Sequence, residues 1–224
     1  MASLTLAEFT YQIKVNLGNR DDLSDPTLTT FVNNAINKIA RQYPFREYEH
    51  YLTNNVTSGD RFLVLPSDYR DCYSVSLING AQSRMLKRLT IREWEYYIPY
   101  PERYATGLTT YYTIWRNNLE FWRIPDSAYV VNVRMTYWPT SLLNVGDTCE
   151  FTHKDDIILH YAVSEAFMAL RMPDDAQIHT AIAERAFMET KKRDVLQSDN
   201  VIRDARNDPG FYNGSDYWNN PFVR

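Results

Sequence analysis

The 224 residues suffice for one domain or two small ones, and 44% hydrophobic against 23% charged residues is an ordinary globular balance. A formal net charge of −4 argues against generic binding of duplex DNA, which relies on Lys and Arg neutralising phosphates. No apolar run reaches the roughly 18 residues of a membrane span, and the opening Met1-Ala2-Ser3-Leu4 lacks the basic and apolar segments of a secretory signal.

In chain order, residues 3–17 read as an amphipathic helix capped by Ser3, with Leu6, Phe9, Ile13 and Leu17 on one stripe and Gly18-Asn19 as its end. Asp25-Pro26 opens a second helix with a capping acid and a first-turn proline. Leu28, Phe31, Val32, Ala35, Ile36, Ile39 and Ala40 then recur at spacings of three and four until Pro44 stops the helix. From about Phe45 the pattern turns to short strands. Residues 61–65 are closed by Pro66-Ser67-Asp68, and residues 72–77 end at the turn Asn79-Gly80. Residues 111–115 and 119–124 flank a hairpin turn at Arg116-Asn117-Asn118, and 129–138 place Val131, Val133, Met135 and Tyr137 on one face. Residues 90–97 suit one short helix.

Helix returns after Glu150. Thr152 with Asp155 resembles a capping box, and residues 154–171 carry Ile157, Ile158, Tyr161, Ala162, Phe167, Met168 and Leu170. Met172-Pro173-Asp174 turns into a fourth helix over about 174–197, whose expected apolar face is Ile178, Ile182, Ala183, Ala186 and Phe187. Residues 201–224 have no period, yet hold Phe211, Tyr212, Tyr217, Trp218 and Phe222. Two separate helix pairs are each too thin to bury their apolar faces. The expected fold is therefore α+β: a four-helix bundle from residues 1–45 and 150–200, an inserted, mostly antiparallel β domain over 46–149, and an extended C-terminal arm over 201–224.

Catalytic and metal chemistry finds no foothold. His153 and His160 lie seven apart, but no carboxylates complete a metal set with His50, His153, His160 or His179. Seven glycines in the whole chain leave no Gly-rich phosphate loop, and no serine has a GxSxG context. Glu93 and Glu95 are two apart, so on a helix they do not face each other. Cys72 and Cys149 have no metal spacing; a disulfide between them stays open, with reduced cytosolic thiols the simpler reading. No cofactor and no enzymatic activity are expected. The middle segment carries Arg84, Lys87, Arg88, Arg92, Arg103, Arg116, Arg123 and Arg134 against Glu93, Glu95, Glu102, Glu120 and Asp126, a surplus of three positive charges interleaved with Trp and Tyr. Two readings follow: a single-strand nucleic-acid face, or arginines paired with acids on neighbouring strands or subunits.

The order of segments resembles the adaptor or tail tubular proteins of bacteriophage head-to-tail connectors. The residues that carry the resemblance are the Asp25-Pro26-Thr27-Leu28 helix opening, Leu65-Pro66-Ser67-Asp68-Tyr69 and Val75-Ser76-Leu77-Ile78-Asn79-Gly80. They continue with Leu119-Glu120-Phe121-Trp122-Arg123-Ile124-Pro125-Asp126, where Arg123 stands in place of one of the family's usual prolines, and with Tyr137-Trp138-Pro139. The helix from Asp155, with small residues at Ala162, Ala166 and Ala169, completes the series. The resemblance implies a homo-oligomeric ring of twelve copies in the virion neck. One face would meet the portal protein and the other the tail nozzle or tail tube, with genomic DNA passing through unbound. It also implies a C-terminal segment that reaches along the portal. Arg203, Arg206, Phe211, Tyr212, Tyr217, Trp218 and Phe222 are the expected portal-docking residues, because a simple disordered tail is poor in aromatics. The alternative function is a nucleic-acid-binding accessory protein using the Arg/aromatic middle.

Overall fold

Helix α1 (Leu6–Asn16) starts where its orphan backbone N–H groups first find partners. The Thr5 hydroxyl accepts from the Glu8 amide, and the Glu8 carboxylate accepts from the Thr5 amide at 2.7 Å, a reciprocal capping box. The cap is thus Thr5 and not Ser3, whose hydroxyl donates to the Phe151 carbonyl at 3.2 Å. Leu6 and Ala7 donate to the carbonyls of Asp147 (2.9 Å) and Val145 (3.0 Å), so a distant loop closes the same helix end. Helix α2 (Asp25–Gln42) has Ser24 at its cap position and Asp25 as its first helical residue, so it begins one residue earlier than expected, with Asp25 inside the helix and not its cap. The structure, a computed structural model, describes residues 3–20, 22–80 and 82–207.

The chain divides into two compact units, one of them Arg46–Ser141 and the other the segments on either side, up to Phe45 and from Leu142. The flanking unit is helical. Helix α4 (Asp155–Ala169) packs against α1, α2 and α5 (Pro173–Asn207), and α1 packs against α2. Central position explains the sequence of α4. It buries Ile157, Ile158, Tyr161, Ala162, Val163, Ala166 and Phe167 around most of its circumference, whereas Ala169, expected as a packing residue, is exposed. Lys154 is its cap residue and no side chain caps it, so the expected Thr152/Asp155 capping box does not form. Phe45 sits edge-on to Phe151 (5.7 Å) and Phe187 (5.9 Å), with the Lys154 ammonium 4.5 Å above its ring. Helix α5 continues to Asn207. Residues 201–207 are therefore helix and not the start of an extended arm; Pro209-Gly210, the next helix breakers in the sequence, come two residues later.

The inserted unit is built of strands β1 (Glu49–Val56), β2 (Phe62–Val64), β3 (Tyr69–Asn79), β4 (Gln82–Met85), β5 (Lys87–Arg88), β6 (Tyr111–Trp115), β7 (Asn118–Trp122) and β8 (Tyr129–Tyr137), with one short helix, α3 (Ile91–Tyr97). They form two four-stranded sheets, in the orders β1-β8-β3-β4 and β2-β7-β6-β5. All pairs are antiparallel except β5 with β6. The inner faces share one apolar core: Val75, Leu77, Val131, Val133 and Met135 from the first sheet, Leu63, Tyr112, Leu119 and Phe121 from the second. Trp94 and Ile98 of the α3 region cover the other face of the second sheet, against Tyr111 and Trp122. Thr90 and Glu93 cap α3 reciprocally. The β6–β7 turn is tighter than expected: Asn118 already pairs with Trp115, which leaves Arg116, at φ 54°, and Asn117 as the loop.

The architecture is α+β, with five helices and two mostly antiparallel sheets. Strand β1 was not expected from the sequence, because its residues show no alternation.

Candidate interaction surfaces

The residues weighed for chemistry in the sequence lie apart from one another, the pair His160 and His179 excepted. Glu93 serves as the third-position partner of the α3 cap, and Glu95 is exposed on the same short helix. Cys72 and Cys149 are buried free thiols, not a disulfide. Burial is the main cause that raises both thiols, Cys149 to about 11, so neither supplies a thiolate at neutral pH. His153 does not meet His160; it lies exposed with φ 57° ahead of α4. His160 instead meets His179 of α5, Nδ1 to Nδ1 at 2.9 Å, and the His179 ring stacks on Phe167 at 5.4 Å. Burial, then the neighbouring His160, hold His179 below the ordinary imidazole value, with Asp175 opposing. Among the described residues no three His, Cys, Asp or Glu side chains are placed to hold a metal ion.

The cations of the middle segment are spread and exposed. Arg88 pairs with Asp71 at 3.7 Å, Arg103 lies 5.0 Å over the Tyr100 ring and Arg123 5.8 Å over Trp122. Arg61, which the charge count over the middle segment left out, is the better placed: it pairs with both Glu102 and the buried Glu120. Of the expected docking residues, Arg203 and Arg206 fall on the backbone of α5. Phe211, Tyr212, Tyr217, Trp218 and Phe222 lie outside the described residues.

What the molecule does offer is exposed apolar surface. Helix α5 buries Ala176, Ala183 and Phe187 on one side. Ile178 and Ile182, expected on that side, are turned to the other, where they are 57% and 42% exposed. Stepping 100° per residue places Ile178, Ala181, Ile182, Arg185 and Met188 within a strip about 120° wide, opposite the buried one. Helix α1 repeats the pattern more briefly, burying Phe9 and Ile13 while exposing Tyr11 and Val15. In the inserted unit Tyr96, Tyr97, Tyr100 and Tyr104 are all exposed within nine residues of chain. Exposed apolar patches and exposed tyrosines are enriched at interaction surfaces.

A family model described as SU10 adaptor protein matches residues 4–207. The chain belongs to this family of phage adaptors. The match spans both units, from two residues before α1 to the last residue of α5. No curated protein matches the chain. A phage adaptor is a structural component of the particle's neck, and membership points to that role and away from catalysis. No described helix is long and apolar enough to cross a membrane.

Proposed function

We propose that this adaptor forms a closed ring of about twelve copies that joins the portal protein to the tail, with DNA passing through the ring unbound. The observation that carries the reading is the adaptor-family match over almost the whole chain. Exposed apolar strips on α1 and α5 support it, since these would be covered by neighbouring copies. In this reading α1, α2, α4 and α5 form the four-helix body that lines up side by side in the ring. Residues 208–224 dock on the portal through Phe211, Tyr212, Tyr217, Trp218 and Phe222, each contributing roughly 1.5–3 kcal/mol if fully buried in a neighbour's groove. The net charge of −4 per copy sums to a strongly negative ring, which repels phosphates and so lets DNA slide.

Cryo-electron microscopy of purified particles tests this. The expected density is a ring of this chain between portal and tail. A chain found at another place in the particle, or in a single copy, refutes the reading.

A further inference from the structure

Every neighbour pair in the first sheet is antiparallel, and its order β1-β8-β3-β4 leaves β1 and β4 as its two outer edges. Edge strands present unpaired N–H and C=O groups, and proteins normally blunt them with lysine, proline, bulges or extreme shortness. The second sheet of the same unit follows that rule. Its edge β2 is three residues long and is followed closely by Pro66, and its edge β5 is the two-residue pair Lys87-Arg88.

In the first sheet β4 is likewise short, four residues, but β1 departs from the rule. Strand β1, Glu49–Val56, is eight residues long and contains no lysine, proline or glycine. It pairs with β8 in unbroken register from Glu49↔Thr136 to Val56↔Tyr129. The sheet's register shifts lie on the interior strand β3, where they protect no edge. Every β1 side chain except Val56 is exposed or half-exposed, and all of β4 is exposed.

We infer that β1 of one copy pairs with β4 of the next, so that the first sheet continues from copy to copy. This rests on the ring reading above and adds a joint within the inserted unit to the contacts of the helices. Strand direction favours it. Three successive antiparallel steps make β1 and β4 run in opposite senses, so a copy set beside its neighbour in the same orientation presents β1 antiparallel to β4. That contact is head-to-tail, the kind a ring propagates, whereas β1 against β1 would close a two-fold dimer and stop. Charge does not oppose it: β1 carries no Lys or Arg and β4 no acid, and the one acid, Glu49, and the one cation, Arg84, stand on opposite faces of the sheet. Four strands at about 4.8 Å put successive sheets about 19 Å apart across the strands.

Cysteine cross-linking in assembled particles tests the joint. Phage are made with Ser83→Cys combined in turn with Tyr51→Cys, Thr53→Cys or Asn55→Cys, exposed positions on the same face of the sheet, since Ser83 lies in the row Ser83–Ile78–Val130–Asn55. After oxidation, at least one double variant should give a ladder of covalent multimers on a non-reducing gel, and no single variant should. A second arm uses Thr53→Lys, an edge blocker at an exposed site. Its purified subunit should keep its circular dichroism, while its incorporation into particles falls at least tenfold. Particles with many copies, no ladder from any pair and normal incorporation of Thr53→Lys would overturn the edge joint and leave the ring standing. Dimers from single β1 cysteines would overturn it in favour of two-fold pairing. A single copy per particle would remove the ring reading and the joint with it.

Discussion

Replacing Arg61 with leucine should destabilise the inserted unit out of proportion to its half-exposed position. Arg61 Nε donates to Glu120 Oε1 at 2.6 Å, and the guanidinium also pairs with Glu102. The two acids differ in environment. The Glu120 side chain, on β7, is 9% exposed, whereas that of Glu102 is 57% exposed. Without Arg61, Glu102 is simply hydrated, but Glu120 becomes a buried carboxylate with no counter-ion. Breaking a buried pair from one side costs about 3–5 kcal/mol; because Arg61 itself is partly reached by solvent, about 2–3 kcal/mol is expected here. Glu120→Leu alone leaves Arg61 its partner Glu102 and should cost about 1 kcal/mol. The double variant, with both ions gone, should also cost about 1 kcal/mol, a coupling of about 2–3 kcal/mol. Glu102→Gln should stay within about 0.5 kcal/mol. Urea unfolding followed by tryptophan fluorescence reads this out, because four of the five tryptophans, Trp94, Trp115, Trp122 and Trp138, lie in the inserted unit. If the two single changes add to the double within about 0.5 kcal/mol, or if Arg61→Leu costs no more than Glu102→Gln, the burial argument is wrong.

Ile182→Glu, on the exposed strip of α5, should leave thermal stability of the purified chain within about 0.5 kcal/mol while lowering incorporation into particles; normal incorporation would show that the strip is not covered. His179 has a folded pKa below the ordinary 6.5, so the fold favours the neutral ring: its contribution is present above that value and is lost as pH falls below it. Melting temperature should therefore drop on acidification from pH 7 to 5, and His179→Gln should flatten that slope; an unchanged slope refutes the assignment. Filter binding of duplex DNA at physiological salt should reveal nothing tighter than weak nonspecific affinity, of order 10⁻⁴–10⁻⁶ M, and a nanomolar value would favour the accessory-protein function. Truncation after Asn207 should yield a folded chain that no longer joins portal-bearing particles; normal occupancy would free residues 208–224 of the docking role.

Local, one-dimensional signals determined a good part of this fold. The three- and four-residue spacing from Leu28 to Ala40 marks α2, because a helix must bury one stripe. The alternation of Val131, Val133 and Met135 marks β8, whose period-two geometry turns those side chains into the core. The order of such segments over most of the chain was enough to suggest a phage adaptor, the family whose model matches. Three-dimensional neighbours decided the rest. Ile178 and Ile182 look like core residues until α4 takes the opposite side of α5, and hydropathy cannot say which of two apolar stripes faces inward. His160 and His179 are 19 positions apart, and only the packing of α4 on α5 brings their rings together. Strand β1 has no apolar period because it is a sheet edge. It is held by backbone hydrogen bonds to β8, which every residue type but proline can supply, so its place as the edge of its sheet became visible only once the sheet was assembled.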